Sequence, residues 1–231
     1  MLQTFQERFY DNFIKDDRWN YIWEGLTVTL RVTLFAVILG IVIGFLIAVV
    51  RSTYDKTGKM KVLNFVCSVY LTVIRGTPVV VQLLIIYFVI FGTVDISKIL
   101  VAIMAFGINS GAYVAEIVRA GLMSVDGGQA EAGRSLGLNY FDTMRYIVIP
   151  QAFKNILPAL GNEFIVLFKD TSLVSAIGGA ELIYYAKAVG SKTFEVMFPY
   201  LGVAVIYLTA VLILTWLQGK LERRLRQSDR R

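Results

Sequence analysis

Nineteen consecutive residues, Val32 to Val50, carry no charge. As a helix rising 1.5 Å per residue such a run covers roughly 28 Å, close to the ~30 Å hydrocarbon core of a bilayer. Lipid offers no hydrogen-bond partners, so a spanning backbone must satisfy its own N–H and C=O groups, and the run predicts a transmembrane α-helix. Trp19, Tyr21 and Trp23 form an aromatic belt at its start. Four more spans follow: Val62 to Val94, interrupted at Arg75-Gly76-Thr77-Pro78; Ile99 to Ala115; Ile156 to Phe168, with its start nearer Ile147; and Val196 to Gly219. The predicted fold class is an all-α integral membrane protein with five transmembrane helices, in a single domain over residues 1–231. A hydrophobic share of 56% agrees, being too high for an ordinary soluble domain.

Five spans put the termini on opposite faces, and Lys and Arg choose which. The loop from Arg51 to Lys61, the long loop 119–150 with Lys154 just beyond it, and the basic tail 220–231 hold 14 of the 23 basic residues. The opposite face holds seven: Arg8, Lys15, Arg18, Lys98, Lys169, Lys187 and Lys192. The positive-inside rule therefore puts the long loop and the C-terminus in the cytoplasm and the N-terminus outside. This sorting by membrane side also explains the net charge of +6 without nucleic acid. One cysteine, Cys67, excludes an internal disulfide, and the absence of histidine excludes His-based zinc sites and Ser-His-Asp triads. Residues 1–18 carry seven charges and no apolar core, unlike a cleaved signal peptide. Leu2, Phe5, Phe9 and Phe13 at helical spacing suggest an extracytoplasmic amphipathic helix on the outer interface; a frayed polar tail fits the same residues.

Small residues recur every four positions at Ala36, Gly40, Gly44 and Ala48, and again at Gly107, Gly111 and Ala115. Such stripes let helices approach closely, within the chain or across a dimer. In the long loop, Asp126 can cap a short helix that Gly137 ends. That helix, Gln129-Ala130-Glu131-Ala132-Gly133-Arg134-Ser135-Leu136-Gly137, is rich in small residues and suits a groove on another protein. Gly128 to Ser135 nearly matches a phosphate-binding loop, but Arg134 replaces the lysine and no buried strand precedes it. The chain therefore shows no ATP-hydrolysing chemistry of its own.

The spacing of Glu131-Ala132-Gly133, Gly137, Ile147 and Ile149-Pro150 closely resembles the "EAA" signature of ABC-importer permease subunits. The family pattern has Ala where Gly133 stands and usually Leu where Ile149 stands. Arg75 to Gln82, Ser110 to Arg119 and Lys169 to Leu173 resemble the permeases for polar amino acids, the histidine/glutamine/arginine type, so that the resemblance covers about residues 20–220. It implies a type I ABC importer fold with a cytoplasmic coupling helix, in a bacterial plasma (inner) membrane. It also implies partners: a second permease subunit, as a homodimer, two ATP-binding cassette subunits that hold ATP and Mg, and an extracellular or periplasmic solute-binding protein. The chain itself would be no enzyme and carry no cofactor.

Polar groups at membrane depth mark a substrate path. The interrupted second span offers Arg75, Thr77 and Gln82, with backbone groups suited to an α-carboxylate; the third offers Asn109, Ser110 and Tyr113; the fourth offers Asn162 and Glu163. Interhelical hydrogen bonding explains each alone equally well. A carboxylate such as Glu163 at the bilayer centre costs roughly 2.5–3.5 kcal/mol unless a cation compensates it, by analogy with Asp. Glu163 thus argues for a cationic amino acid (arginine, lysine or histidine), with Arg75 as the competing internal partner. Glu116 and Arg119 read as a structural ion pair at helical spacing. The rival to a permease is an ATP-independent secondary transporter or channel, which would need acids across several spans; Glu163 is the one clear candidate.

Overall fold

The computed structural model describes residues 4–227; Leu2, Arg230 and Arg231 of the sequence argument lie outside the described residues. Every element among the described residues is helical. A short α1, Phe5–Phe9, starts on a capping box in which Thr4 and Glu7 bond each other's backbone. Then comes α2, Trp19–Thr57, which at 39 residues far exceeds the uncharged run and takes the aromatic belt into its first turns. It stops at Gly58, whose φ of +65° a glycine adopts without strain. The interrupted span becomes α3, Lys61–Gly76, and α4, Val79–Ile85, which a wider helical turn extends to Ile90. The two halves bend by 109°. Then follow α5, Lys98–Met123; α6, Gly127–Ser135; α7, Tyr140–Thr143; α8, Ile149–Asp170; α9, Leu182–Thr193; and α10, Met197–Gln227.

By length and apolarity, α2, α5 and α10 can each cross a membrane, and the bent α3–α4 pair adds a fourth crossing if its two halves form one broken span. The span expected fourth in the chain, in α8, falls outside that group although its 22 residues are long enough. The reason is chemical: α8 carries Lys154, Asn155, Asn162, Glu163, Lys169 and Asp170. Sequence reasoning missed α9. Its start is fixed by Glu181, fully buried, whose carboxylate accepts from the backbone N–H of Ile183 and of Tyr184 at 2.8 Å each and from the Tyr207 hydroxyl at 3.3 Å.

The core is the contact between α2 and α5. A β-carbon added at Gly40 would lie 2.8 Å from Ser110 Cβ, one at Gly44 2.6 Å from Val114 Cβ, and one at Gly111 2.7 Å from Ile43 Cγ2. Both glycine stripes are therefore used within the chain, where each lets the other helix seat a side chain against bare backbone. Around this seam Val32, Ala36, Val101, Ala105 and Phe106 are all fully buried. The Tyr70 hydroxyl donates to the Ile108 carbonyl and ties α3 to the same seam. At the far end Phe5 and Phe13 pack on Phe198, while Asn12 donates to Glu195 at 2.9 Å.

Gly44→Val tests the seam. The added side chain must displace Val114, at a cost of about 1–3 kcal/mol for overpacking. A lower thermal midpoint in detergent is the expected outcome, whereas Gly219→Val, which meets no atom within 4 Å, leaves the midpoint where it was.

Candidate functional site

Pro78 lacks an N–H and its ring excludes a helical residue before it, so Thr77 turns extended (φ −124°, ψ 147°) and α3 ends at Gly76. A broken helix at membrane depth leaves backbone groups to satisfy. Gln82 does this. Its amide nitrogen donates to the Ile74 carbonyl at 2.8 Å, the Thr77 carbonyl at 3.1 Å and Thr77 Oγ1 at 2.8 Å. Its carbonyl oxygen accepts from Asn109 Nδ2 at 2.9 Å. Gln82 and Asn109 thus fasten the break to α5.

Next to Asn109 on α5, the Ser110 hydroxyl donates to Glu163 Oε1 at 2.8 Å, joining α5 to α8. Beside these groups lies a cavity of about 260 Å³ lined by Thr77, Pro78, Val79, Asn109, Tyr113, Glu163, Val166, Leu167 and Asp170. Of the residues singled out from sequence, Thr77, Asn109, Tyr113 and Glu163 meet here, with Ser110 and Gln82 directly behind. Asn162 is exposed and outside the lining. Arg75 is outside it too and does not pair with Glu163: its guanidinium lies 3.9 Å from Glu116, which also holds Arg119 at 3.5 Å. The sequence reading missed Asp170. Its position seven residues after Glu163, two helical turns along the same face, is the signal that could have found it. The cavity therefore has two carboxylates and no basic side chain in its walls.

At the other end of α5, α6 presents the docking sequence. The Asp126 carboxylate caps its first turn, accepting from Gly128 N–H at 2.7 Å. Gly137 follows its last turn at φ +82°, with its N–H on the Arg134 carbonyl at 2.9 Å. Gly133 is buried: a β-carbon there would lie 2.7 Å from Ile147 Cδ1, which accounts for glycine at a position where alanine is expected. Gln129, Glu131, Ala132, Arg134 and Ser135 are exposed, Ala130 is half-buried, and Leu136 is 82% exposed at the tip. Ile147 belongs to the wide turn Met144–Val148, which runs straight into α8. The α6 helix is therefore seated on the segment that leads to both carboxylates.

Residues 36–227 match the model of a family described as binding-protein-dependent transport system inner membrane components. The glutamine transport system permease protein GlnP of Escherichia coli (strain K12) is 41% identical over 168 residues, 71% of this chain and 77% of its own length. The arginine transport system permease protein ArtQ of Bacillus subtilis is 36% identical over 211 residues, 90% of this chain and 94% of its own. Among solved structures, an amino acid ABC transporter with histidines superposes with a TM-score of 0.86 at 42% identity, over 97% of this chain and all of that one. The methionine transporter MetNI, in an inward-facing form, gives 0.73 at 20% identity, a likeness of fold.

Gln82→Leu keeps the side chain's bulk and removes its hydrogen bonds. Asn109 and the Thr77 carbonyl then lose their partner, at about 1–3 kcal/mol for each buried group left unsatisfied. The expected result is a fall in thermal midpoint in detergent; an unchanged midpoint shows that water satisfies the break instead.

Proposed function

The chain belongs to the family of binding-protein-dependent transport system inner membrane components, and on that premise we propose that it carries a cationic amino acid inward by alternating access. Arginine, lysine and histidine are the candidates. The observation that carries this reading is the cavity beside the broken span, whose walls hold Glu163 and Asp170 and no basic group. The substrate's side-chain cation sits between these carboxylates, and its α-carboxylate takes the exposed N–H groups where α4 begins at Val79. Arg75 does not neutralise the pocket, because it is committed to Glu116. Family membership displaces the ATP-independent transporter as an alternative.

The energy enters from outside the chain. Two ATP-binding cassette subunits, holding ATP and Mg, engage α6 from the cytoplasm, which puts the C-terminus inside and the N-terminus outside the plasma membrane. A second copy of the permease completes the membrane pathway, and a solute-binding protein delivers substrate to the outer face. The positive-inside count supports the orientation, and the exposed polar face of α6 supports the docking.

Two measurements test this function. In proteoliposomes holding the complete transporter, Glu163→Gln and Asp170→Asn each weaken arginine uptake by about 1.5–3 kcal/mol, the worth of a charge-assisted hydrogen bond, and leave glutamine uptake little changed. Equal losses for both substrates give the carboxylates a structural role and favour a neutral substrate, as in the glutamine permease relative. Gly137→Leu forces a branched side chain into a left-handed conformation at about 1–2 kcal/mol. Substrate-stimulated ATP hydrolysis falls while arginine binding to the membrane pocket persists; wild-type hydrolysis removes α6 from the docking role.

A further inference from the structure

Tyr113 lines two cavities at once. One is the acidic pocket; the other is a chamber of about 680 Å³ on the α6 side, bounded by Arg51, Ser68, Thr72, Arg75, Tyr113 and Glu116 among others. Along α5 the order is Asn109, Tyr113, Glu116, a descent of about 10 Å from pocket to chamber. Tyr113 belongs to the lining of both and is 39% exposed. The Arg75 guanidinium lies over that ring, 5.7 Å from its centroid, and is held from the other side by Glu116 at 3.9 Å. Arg51 lines the same chamber and donates to Ser68 Oγ at 2.8 Å. The pocket's walls carry two acids, whereas the chamber's carry two guanidiniums against one carboxylate.

We infer that Tyr113, clamped by Arg75 and Glu116, is the partition through which substrate leaves the pocket, and that Arg75 sets the charge barrier of that step. The inference rests on the pocket proposed above. A cation leaving Glu163 and Asp170 meets the positive side of the partition, so it advances only when Arg75 swings off the ring. Once in the chamber it finds little to hold it, since Glu116 is already shared by Arg75 and Arg119. Arg75 and Tyr113 thereby act on release as positioning residues. Arg75 is outside the pocket's lining and reaches it only through the Tyr113 ring, whereas Tyr113 belongs to both sides.

The test reads access to the pocket directly. Cys67→Ala removes the native thiol and Val166→Cys puts one in the pocket wall, in the complete transporter with its ATPase subunits and binding protein. An impermeant cationic methanethiosulfonate is applied from the α6 side, and the labelling rate is measured. Tyr113→Ala is expected to raise the rate about tenfold or more, Tyr113→Phe to leave it at the parental value, and Arg75→Gln to raise it about two- to fivefold, the worth of an exposed cation–π contact. An anionic reagent gains less from Arg75→Gln than the cationic one does. Should Tyr113→Ala fail to assemble, Tyr113→Leu keeps the bulk without the ring and is expected to match Arg75→Gln. Unchanged labelling in the Ala or Leu variant, or faster labelling in the Phe variant, overturns the partition. Protection of the parental thiol by arginine reports on the pocket itself. Its absence removes the cationic pocket, while the rates of the Tyr113 variants still decide the partition.

Discussion

The approach of α2 to α5 over bare glycine backbone is the contact around which the rest is arranged. Water gives no driving force for helix association inside a bilayer, where lipid tails are as apolar as leucine, so close van der Waals packing must supply it. Gly40 and Gly44 let α2 lie against Ser110 and Val114, and Gly111 lets α5 receive Ile43. The same contact fixes the pocket. Ser110 is pressed between α2 and α8, and its hydroxyl has Glu163 as its partner. A seam built for packing thus also aims a polar group at Glu163.

The break at Thr77–Pro78 presents the opposite problem, since it removes backbone hydrogen bonds where no solvent replaces them. One buried glutamine answers it. Gln82 donates back across the bend to Ile74 and Thr77 and accepts from Asn109, so the bend is held from α4 and from α5 together. Rigidity here matters because a binding site is only as well placed as the groups behind it.

How much of this was legible in the sequence depends on how local the cause is. The start of α6 at Asp126 and its end before Gly137 follow from side chains within a few positions, and both are found. The break at Pro78 is equally local. The glycine stripes announced close packing, yet their partner could not be read because spacing along one helix says nothing of its neighbour. Arg75 shows the same limit. By charge alone Glu163 and Glu116 are equivalent partners, and only the bend between α3 and α4 decides for Glu116. The fourth expected span failed as an apolar signal because its polar residues include the pocket's own Glu163 and Asp170. Asp170 is hidden for a related reason: in sequence it belongs to the stretch Lys169 to Leu173 beyond the apolar run that ends at Phe168, whereas α8 continues through it.

The seating of Gly133 on Ile147 has a thermodynamic corollary. From Ile147 the chain enters α8, and α8 carries Glu163 and Asp170, so α6 packs against the start of the helical run whose far end holds the pocket's two acids. Linkage between such sites runs both ways. On the function proposed above, whatever free energy nucleotide binding to a partner on α6 uses to loosen the pocket's hold on its ligand, an occupied pocket returns as an equal change in nucleotide affinity. On that function, at equilibrium, a loaded pocket lowers the affinity of the nucleotide site relative to an empty one.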